Sequence, residues 1–528
     1  MRINILVAAA CVLFAASPII GPLNAATPAA SCESLSSIHL PNTTITLAQT
    51  VGAGTFMPPA GRQGRGAALY SELPSFCRVT ATLSPSSDSD IKVEVWLPAP
   101  AEASGGQSRG WNGKFQATGN GGWAGVISYP ALAQAVAAGY AAASTDTGHV
   151  GNNGSFAVGH PEKVIDFGYR AVHEMTTQAK AIVDAYYGAK PSLSFWNGCS
   201  LGGRQGITEA QRYPADFDAI VAGAPAVNAM YLHGARVAIN QIVHRSAESY
   251  IPPETYPAIH AAALNACDVM DGVKDGVIDS PSRCKFDPKV LMCKDADSST
   301  CLTAPQVETA RALYSAVKDP KSGAVVFPAL LEPGSELGWA TLAGPQPVDT
   351  ALDAFKYVVF GDAGWDWRGF NLSTDLARGI QRDAGIMNAG DPDLRPFFNR
   401  GGKLLMYHGW ADQQVAATNS VEYFGKVTKV AGKSAAGKSI ELYMIPGMGH
   451  CAGGPGTDTF DKMAAIESWV KTGRAPDAIV AAHRTSGVVD RTRPLCPFGK
   501  IARWKGTGST DDASNFTCVA GTSSVATR

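Results

Sequence analysis

Short apolar segments, each followed by turn-forming residues, recur through the first 225 residues of the chain and return after residue 402. Such segments predict β-strands, and they cover residues 91–97, 114–118, 139–144, 193–197, 217–223, 403–409 and 441–446. The first of them alternates in the manner of an edge strand. Apolar residues at helical spacing predict helices over residues 169–187 and from Gly203 to just before Pro214. Strands that alternate with helices predict an α/β sheet.

This regular pattern is interrupted between residues 228 and 398, where turns and tryptophans are frequent and four of the cysteines lie. Insertions of this kind occur at surface loops of a domain. We therefore predict one α/β domain in two parts, residues 26–227 and 399–528, with residues 228–398 inserted between them as a lid.

The first 25 residues have the pattern of a secretion signal. Arg2 is followed by an apolar run over residues 5–16, and small residues near Ala25 offer a cleavage site. The apolar run is too short and too interrupted for a membrane span. We expect cleavage and export, either to the periplasm or out of the cell, without stable membrane insertion. The formal net charge of -1 gives no electrostatic footprint for a nucleic acid.

Ten cysteines follow the signal segment, and in an exported protein an even number predicts disulfides. None of them forms a C-x-x-C pair, which argues against a zinc site. Sequence spacing favours the pairs Cys32–Cys77, Cys267–Cys284, Cys293–Cys301 and Cys496–Cys518, which leaves Cys199 and Cys451. Because connectivity does not follow from sequence alone, this pairing is a hypothesis that peptide mapping of the unreduced protein tests.

Candidate chemistry lies beside the last two of these cysteines. Residues 198–202, with Ser200 at their centre, fit the G-x-S-x-G nucleophile elbow of α/β-hydrolases. His450 follows a glycine-rich turn and precedes Cys451. If Ser200 and His450 are nucleophile and base, their side chains meet, and the neighbouring Cys199 and Cys451 come within disulfide range. Two independent requirements thus bring the same distant segments together.

The third member of the predicted triad is Asp412, just past a predicted strand. In α/β-hydrolases the acid lies between the serine and the histidine in the chain, and Asp412 can fix the tautomer of His450. His408 competes as the base, but it precedes the acid and breaks this order. One predicted oxyanion donor is the amide of Leu201, and the other belongs to Gly121 or Gly122 in a glycine-rich loop.

Five motifs of the chain resemble the tannase and feruloyl esterase family. They are GCSLGGRQ at residues 198–205, GWAD at 409–412, GHC at 449–451, GNGG at 119–122 and DTGH at 146–149. The resemblance runs over most of the mature chain, and it implies an α/β-hydrolase core with a lid, a disulfide between the triad loops and hydrolysis of aromatic carboxylic esters. Feruloyl esterases, tannases and a bacterial hydrolase of a terephthalate monoester belong to this family.

The resemblance also implies a structural calcium ion in the lid, and no organic cofactor. The implied ligands are the side chains of Asp268, Asp271 and Asp275 and the carbonyl groups of Val273 and Val277. Carboxylates at this spacing, with glycines between them, suit a hard cation. Asp279 lies in the same segment and fits this ligand set less securely.

The expected substrate is a small aromatic ester, either free or linked to a polysaccharide or a polyphenol. Feruloyl esters rank ahead of galloyl esters and terephthalate monoesters. Aromatic side chains of the lid are candidates for stacking on the acid, and lid arginines are candidates for binding a substrate carboxylate: they are Trp339, Trp365, Trp367, Phe370, Arg368 and Arg382. A hydrolase fold that only binds a partner, and an exported peptidase with the same triad, are the alternatives.

Overall fold

The computed structural model describes residues 30–59, 67–100, 110–294 and 299–521. The predicted signal segment, residues 1–25, therefore lies outside the described residues. Within the described ranges, no helix combines the length and the apolar character that crossing a bilayer requires.

The strands of the described residues are β1 (Thr43–Val51), β2 (Phe76–Leu83), β3 (Ile91–Pro98), β4 (Lys114–Thr118), β5 (Ala141–Thr145), β6 (Leu193–Cys199), β7 (Ala219–Gly223), β8 (Val317–Lys318), β9 (Val325–Phe327), β10 (Lys403–Gly409), β11 (Ile440–Ile445), β12 (Ile479–Thr485), β13 (Val488–Leu495), β14 (Lys500–Trp504) and β15 (Phe516–Ala520). Nine of them form one sheet in the order β1-β2-β3-β5-β4-β6-β7-β10-β11. The strands from β5 to β11 in this order are parallel, whereas β1, β2 and β3 join antiparallel at one edge.

The α-helices are α1 (Ala67–Ser71), α2 (Tyr129–Ala137), α3 (Pro161–Ile165), α4 (Ala171–Tyr187), α5 (Leu201–Arg212), α6 (Ala229–Val243), α7 (Tyr256–Cys267), α8 (Ala304–Leu313), α9 (Ala340–Ala343), α10 (Asp349–Asp353), α11 (Leu372–Asp383), α12 (Arg395–Asn399), α13 (Ala417–Ala431), α14 (Lys433–Ser439) and α15 (Lys462–Thr472). Helices α2, α4 and α5 alternate with the parallel strands. This arrangement is the predicted α/β class.

The expectation that residues 91–97 form an edge strand is wrong. β3 pairs with β2 on one side and with β5 on the other, and most of its residues are buried. The charged residue that produced the alternation, Glu94, is buried because Arg78 pairs with it and Trp96 and Tyr129 donate hydrogen bonds to it. The sequence alone does not show these partners, so Glu94 looks like a solvent-facing residue in the sequence pattern.

The segment between β7 and β10 contributes no strand to the large sheet. Its described residues form α6 to α12 and the two-stranded β8–β9 sheet around an apolar core of their own. Trp339 is fully buried in this core, with the rings of Tyr256 and Tyr314 edge-on against it. The same core includes Leu201 and Trp123, so the inserted segment packs directly on the region of the predicted elbow.

The structure contains the five predicted disulfides: Cys32–Cys77, Cys199–Cys451, Cys267–Cys284, Cys293–Cys301 and Cys496–Cys518. Four of them close local loops or clasp a terminal segment. The remaining one, Cys199–Cys451, joins residues 252 apart in sequence. It links the end of β6 to the loop after β11.

Helix α5 packs closely on β7 because Gly203 has no side chain. A Cβ at this position would lie 2.2 Å from the carbonyl oxygen of Gly223 and 2.9 Å from the Cα of Pro225. We predict that Gly203→Ala lowers the free energy of unfolding by about 1–3 kcal/mol, because the backbone must shift to accept the methyl group. Denaturant unfolding of the oxidised protein measures the change.

The matched control is Gly425→Ala on the exposed face of α13, where an added Cβ meets nothing within 4 Å. This substitution is expected to raise the free energy of unfolding by about 0.5–1 kcal/mol through helix propensity. Equal effects of the two substitutions would contradict the close contact of α5 with β7.

Candidate active site

Ser200 lies on a sharp turn between β6 and α5. Its backbone has φ 64° and ψ -121°, a left-handed conformation that a residue other than glycine rarely adopts. The flanking glycines allow the turn. A Cβ on Gly198 would lie 2.5 Å from the carbonyl oxygen of Gly202, and one on Gly202 would lie 3.0 Å from the Cα of Gly119. The predicted strand–elbow–helix arrangement is thus present, and Ser200 has the positive φ expected of the residue at its centre.

His450 is brought to the same end of the sheet by the disulfide beside it. The Cα atoms of Cys199 and Cys451 are 6.0 Å apart, and their direct neighbours are Ser200 and His450. The backbone N–H of His450 donates to Oε1 of Gln413 at 3.2 Å. The loop after β11 is therefore held both by a covalent bond and by a hydrogen bond to the loop after β10.

Asp412 is buried and accepts four hydrogen bonds. Its Oδ2 accepts from Nδ1 of His450 at 2.7 Å and from Nε2 of His408 at 3.0 Å. Its Oδ1 accepts from the backbone N–H groups of Gln414 and Val415 at 2.7 and 2.8 Å. All of this carboxylate's oxygens are thus engaged, so its orientation toward His450 is fixed.

The pKa of Asp412 follows from these contacts. Burial alone would raise it, but the charges and hydrogen bonds of His450 and His408 outweigh burial and hold the pKa well below the usual range of a carboxyl group. Asp412 is therefore ionised at neutral pH and can stabilise an imidazolium on His450.

His408 is the second histidine that contacts the carboxylate of Asp412. Its ring is fully buried; Nε2 lies 3.0 Å from Asp412 and 3.1 Å from the carbonyl oxygen of Val415, and Nδ1 lies 2.7 Å from Oγ of Ser420. Since Nε2 faces two acceptors, it carries the proton, and Nδ1 accepts from Ser420. The sequence singled out this residue only as a competitor for His450.

The predicted oxyanion donors lie at this turn as well. Leu201 is the first residue of α5, and Gly122, with φ 55°, lines the same cavity as Ser200. The added Cβ of either Gly121 or Gly122 would meet nothing within 4 Å, so these positions face open space. His149 anchors the glycine-rich loop, since its Nε2 lies 2.8 Å from the carbonyl oxygen of Trp123.

A cavity opens beside Ser200. Residues of the core and of the inserted segment line it together: Gly122, Trp123, Phe167, Ser200, Leu201, Arg204, Ala226, Ala229, Leu232, His233, Arg236, Thr350, Met387, Gln414 and Val415. A second cavity lies between the acidic loop that contains Asp271 and the C-terminal hairpins. The cavity beside Ser200 is the candidate substrate site because the candidate nucleophile lines it.

The described residues that line this cavity do not include the lid residues predicted to bind substrate. Trp339 and Phe370 lie in the apolar core of the lid. Trp365 stacks on Phe360, and Trp367 packs under Arg368.

The predicted carboxylate-binding arginines also lie elsewhere. Arg382 is exposed on α11, and Arg368 pairs with Asp366 at the surface. The sequence missed Trp123, His233 and Arg236, which line the cavity instead. Trp123 directly follows the glycine-rich loop, a position that marks it as a candidate; no local signal distinguishes His233 or Arg236.

The loop predicted to bind calcium is acidic and partly buried. Burial, together with the charges of Asp271 and Asp275, raises the pKa of Asp279 to about 7. Asp268 accepts hydrogen bonds from the backbone N–H groups of Asp275 and Gly276, which fold the loop around it. Carboxylates that repel one another in this way suit a hard cation.

Two observations concern how well the acidic loop fits a calcium ion. Arg493 pairs with one oxygen of Asp275. Within the described residues, the group of three metal-ligating side chains whose donor atoms lie within 4.8 Å of one another is His173, Glu209 and Asp216, outside this loop. The donor types of the loop therefore fit calcium, while the carboxylates have not converged on one point.

Known proteins are similar to this chain in both sequence and structure. The family model described as tannase and feruloyl esterase matches residues 77–519. The chain belongs to the tannase and feruloyl esterase family. It is 37% identical to an uncharacterized esterase of Xanthomonas campestris pv. campestris, over 94% of this chain and 92% of that protein. Family membership at this coverage makes the protein a carboxylic ester hydrolase.

Solved structures of the family share the fold. Feruloyl esterase B from Aspergillus oryzae is similar with a TM-score of 0.84 and 32% identity, covering 92% of this chain and 99% of that chain. Tannin acyl hydrolase from Aspergillus niger is similar with a TM-score of 0.74 and 23% identity, covering 93% and 95%. The predicted α/β-hydrolase fold of this tannase-family chain is therefore confirmed.

The position of His408 yields a test of the acid's orientation. We predict that His408→Ala lowers kcat on a p-nitrophenyl ester about 10-fold, with KM changed less than about threefold, because Asp412 loses a donor that fixes it against His450. Steady-state kinetics of folded protein give both constants. His483→Ala, on the exposed β12–β13 hairpin, is the control. An unchanged kcat in His408→Ala would show that the other three hydrogen bonds suffice.

Proposed function

We propose that the protein is an exported serine esterase that hydrolyses esters of aromatic carboxylic acids. The observation that carries the proposal is the joint position of three features: a strained Ser200 in a cavity, His450 bonded to a buried Asp412, and a disulfide between the neighbours of the serine and the histidine. Along the chain, Ser200, Asp412 and His450 follow the order nucleophile, acid and base that α/β-hydrolases use.

Each residue of the proposed triad has a defined part in the reaction. His450 accepts the proton of Ser200 as the serine oxygen attacks the ester carbonyl, and it then donates that proton to the departing alcohol. Asp412 stabilises the imidazolium. A water molecule, activated by the same histidine, releases the acid from the acyl-enzyme and restores Ser200.

The negative charge that develops on the ester oxygen needs backbone donors. We assign the N–H of Leu201 at the start of α5 as one donor and the N–H of Gly121 or Gly122 as the other. The start of α5 adds the positive end of a helix dipole. Donors of this kind are rigid before the substrate binds, so little reorganisation is required in the transition state.

The aromatic class of the substrate is supported by the cavity and by the relatives. Trp123 and Phe167 stack on each other at a centroid distance of 5.0 Å and both line the cavity, so a flat ring finds aromatic neighbours there. Relatives that are named feruloyl esterases favour feruloyl esters; galloyl esters and terephthalate monoesters are the alternatives. Esters attached to polysaccharides or polyphenols are the natural forms we expect.

Export is supported by the disulfides. Five of them in one chain are expected in an oxidising compartment, since the cytosol keeps thiols reduced. We therefore propose that residues 1–25 are cleaved and that the enzyme works in the periplasm or outside the cell.

The nucleophile assignment predicts the effect of one substitution. Ser200→Ala should reduce kcat on methyl ferulate by about 10⁴-fold or more, because no other group forms the acyl-enzyme. Ser434→Ala, at an exposed position of α14, is the matched control and should retain wild-type activity. Product release measured by chromatography gives the rates. A Ser200→Ala enzyme with substantial activity would contradict the assignment.

We further propose that the acidic loop binds a structural calcium ion. The proposed ligands are the side chains of Asp268, Asp271 and Asp275 and the carbonyl groups of Val273 and Val277. The buried and mutually repelling carboxylates of the loop support the proposal. Bound there, the ion would neutralise these charges and tie the loop to the disulfide-bonded end of α7.

Removing the ion is therefore expected to destabilise the lid. We predict that a calcium chelator lowers Tm by several degrees and that added Ca²⁺ restores it, since a ligand that binds only the folded state stabilises it. The Asp271→Asn variant should have a lower starting Tm and a weaker response to Ca²⁺. Calorimetry with and without chelator, together with elemental analysis of the purified protein, makes the measurement. Unchanged Tm and no bound metal would refute the site.

A further inference from the structure

Three side chains that can bind a metal ion meet between α4 and the last turns of α5. His173 lies on α4, Glu209 on α5, and Asp216 in the loop that leads from α5 to β7. Each offers one donor atom, and these atoms lie within 4.8 Å of one another. Donor atoms around a single zinc ion lie no more than about 4 Å apart, given metal–ligand distances near 2 Å. The three groups therefore need only a small adjustment to share one ion.

Glu209 is the member of this cluster that most requires a ligand. Its side chain is 1% exposed, and neither of its carboxylate oxygens has a hydrogen-bond partner among the described residues. One of these oxygens lies within the group of donor atoms that it forms with His173 and Asp216. A buried carboxylate without partners is costly, so this group is expected to hold either a proton or a cation.

His173 is held with a ring nitrogen toward the carboxylates. Its Nδ1 lies 2.7 Å from Oδ2 of Asp216. The ring also stacks on Tyr213 at a centroid distance of 3.7 Å, with the two planes nearly parallel. The side chains of His173 and Asp216 remain 30% and 15% exposed. An ion can therefore enter from this side, and water can complete its coordination.

The charged lysine beside the cluster does not fill this place. Nζ of Lys180 donates to the backbone oxygen of Asp216, and in the described part of the chain no ion pair joins it to either carboxylate. Its position leaves both oxygens of Glu209 without a direct partner. The negative charges of the cluster are therefore balanced only at a distance.

A shared proton is the competing way to neutralise the cluster. Burial and the charge of Asp216 raise the pKa of Glu209 well above the usual range of a carboxyl group, so without a metal ion Glu209 holds a proton. A proton shared with Asp216 engages one oxygen of Glu209 and makes no use of the imidazole of His173. A metal ion uses all three groups at once, which is the arrangement that the positions of the three donors favour.

We propose that His173, Glu209 and Asp216 bind one divalent transition-metal ion, of which Zn²⁺ fits best. One imidazole with two carboxylates suits zinc, whereas calcium prefers oxygen ligands alone. The bound ion would tie α4 to α5 and to the loop before β7, so its effect is on stability. Glu209 lies nine residues along the chain from Ser200, roughly 13 Å at the rise of an α-helix. The site is therefore separate from the proposed ester hydrolysis.

The first test measures binding of Zn²⁺ alone. Oxidised full-length protein is saturated with Ca²⁺, so that the acidic loop of the lid is not the site that responds, and Zn²⁺ is titrated calorimetrically. We expect one strongly bound ion per chain, with a Kd of about 1 µM or tighter. Absence of any binding tighter than about 100 µM would overturn the inference and assign the cluster to a shared proton.

Substitutions then connect binding to the three residues. Glu209→Gln keeps the shape of the side chain and removes its charge, and His173→Gln removes the imidazole; each should weaken Zn²⁺ binding about 100-fold or more. The matched control is His483→Gln on the exposed β12–β13 hairpin, where the histidine pairs with Asp490 at 2.7 Å. This variant should bind Zn²⁺ as the wild type does. Equal affinity in Glu209→Gln, or a loss of binding in His483→Gln, would overturn the inference.

Asp271→Asn separates this site from the proposed calcium loop. It should leave the affinity for Zn²⁺ unchanged in Ca²⁺-saturated protein, because Asp271 belongs to the acidic loop and not to the cluster between α4 and α5. A loss of Zn²⁺ binding in Asp271→Asn would place the ion in the lid and overturn the inference.

A final measurement needs no variant, which protects the test against substitutions that impair folding. Crystals of the wild-type protein are soaked in Zn²⁺, and anomalous diffraction is recorded at the zinc absorption edge. We expect a peak between His173, Glu209 and Asp216. In solution, Zn²⁺ should also raise Tm by several degrees, since it binds the folded state. Zinc peaks only at other positions, or none, would overturn the inference.

Discussion

The disulfide between Cys199 and Cys451 is the constraint on which the candidate site depends. It ties the end of β6 to the loop that contains His450 across 252 residues of chain, including the whole inserted segment. The parallel strands β6, β7, β10 and β11 already bring the two loops to one edge of the sheet. Sheet pairing alone leaves loops free to move, and a covalent bond beside both Ser200 and His450 restricts that freedom. The hydrogen bonds around Asp412 then fix the acid relative to the same loop.

The cavity depends on the lid as much as on the core. Trp123 belongs to the glycine-rich loop of the core, yet its Nε1 donates to the backbone oxygen of Thr350 in the inserted segment at 2.9 Å. Leu201, at the start of the helix after Ser200, packs in the apolar core of the lid. The inserted segment therefore directly shapes the cavity beside Ser200, and we expect a change in its packing to affect the turn at Ser200.

Sequence reasoning found the parts of the site that depend on local rules. The nucleophile-elbow motif contains glycines around Ser200 because larger side chains would clash there. The even number of cysteines, with four other pairs favoured by spacing, leaves Cys199 to pair with Cys451. The central strands were recognisable because buried parallel strands are continuous apolar runs. The strands β1 and β2 were missed, and β3 was misplaced at an edge, because a buried Glu94 with an arginine partner looks like a surface residue in the sequence.

These local rules could not predict which residues line the cavity beside Ser200. Aromatic and arginine side chains are frequent in the inserted segment, and nothing in their spacing shows which ones face Ser200. Trp365 and Arg382 were candidates by residue type and by their place in the inserted segment. The tertiary packing of the lid places Arg236 at the cavity instead. Long-range packing of an irregular segment has no period that a sequence pattern can reveal.

One measurement addresses the central claim directly: mass spectrometry of the oxidised protein after reaction with a fluorophosphonate, digested without reduction. The account predicts a single phosphonylated serine, Ser200, within a peptide that is joined through Cys199 to the peptide containing His450 and Cys451. A label on another serine, or a Ser200 peptide that is free of the histidine peptide, would contradict it.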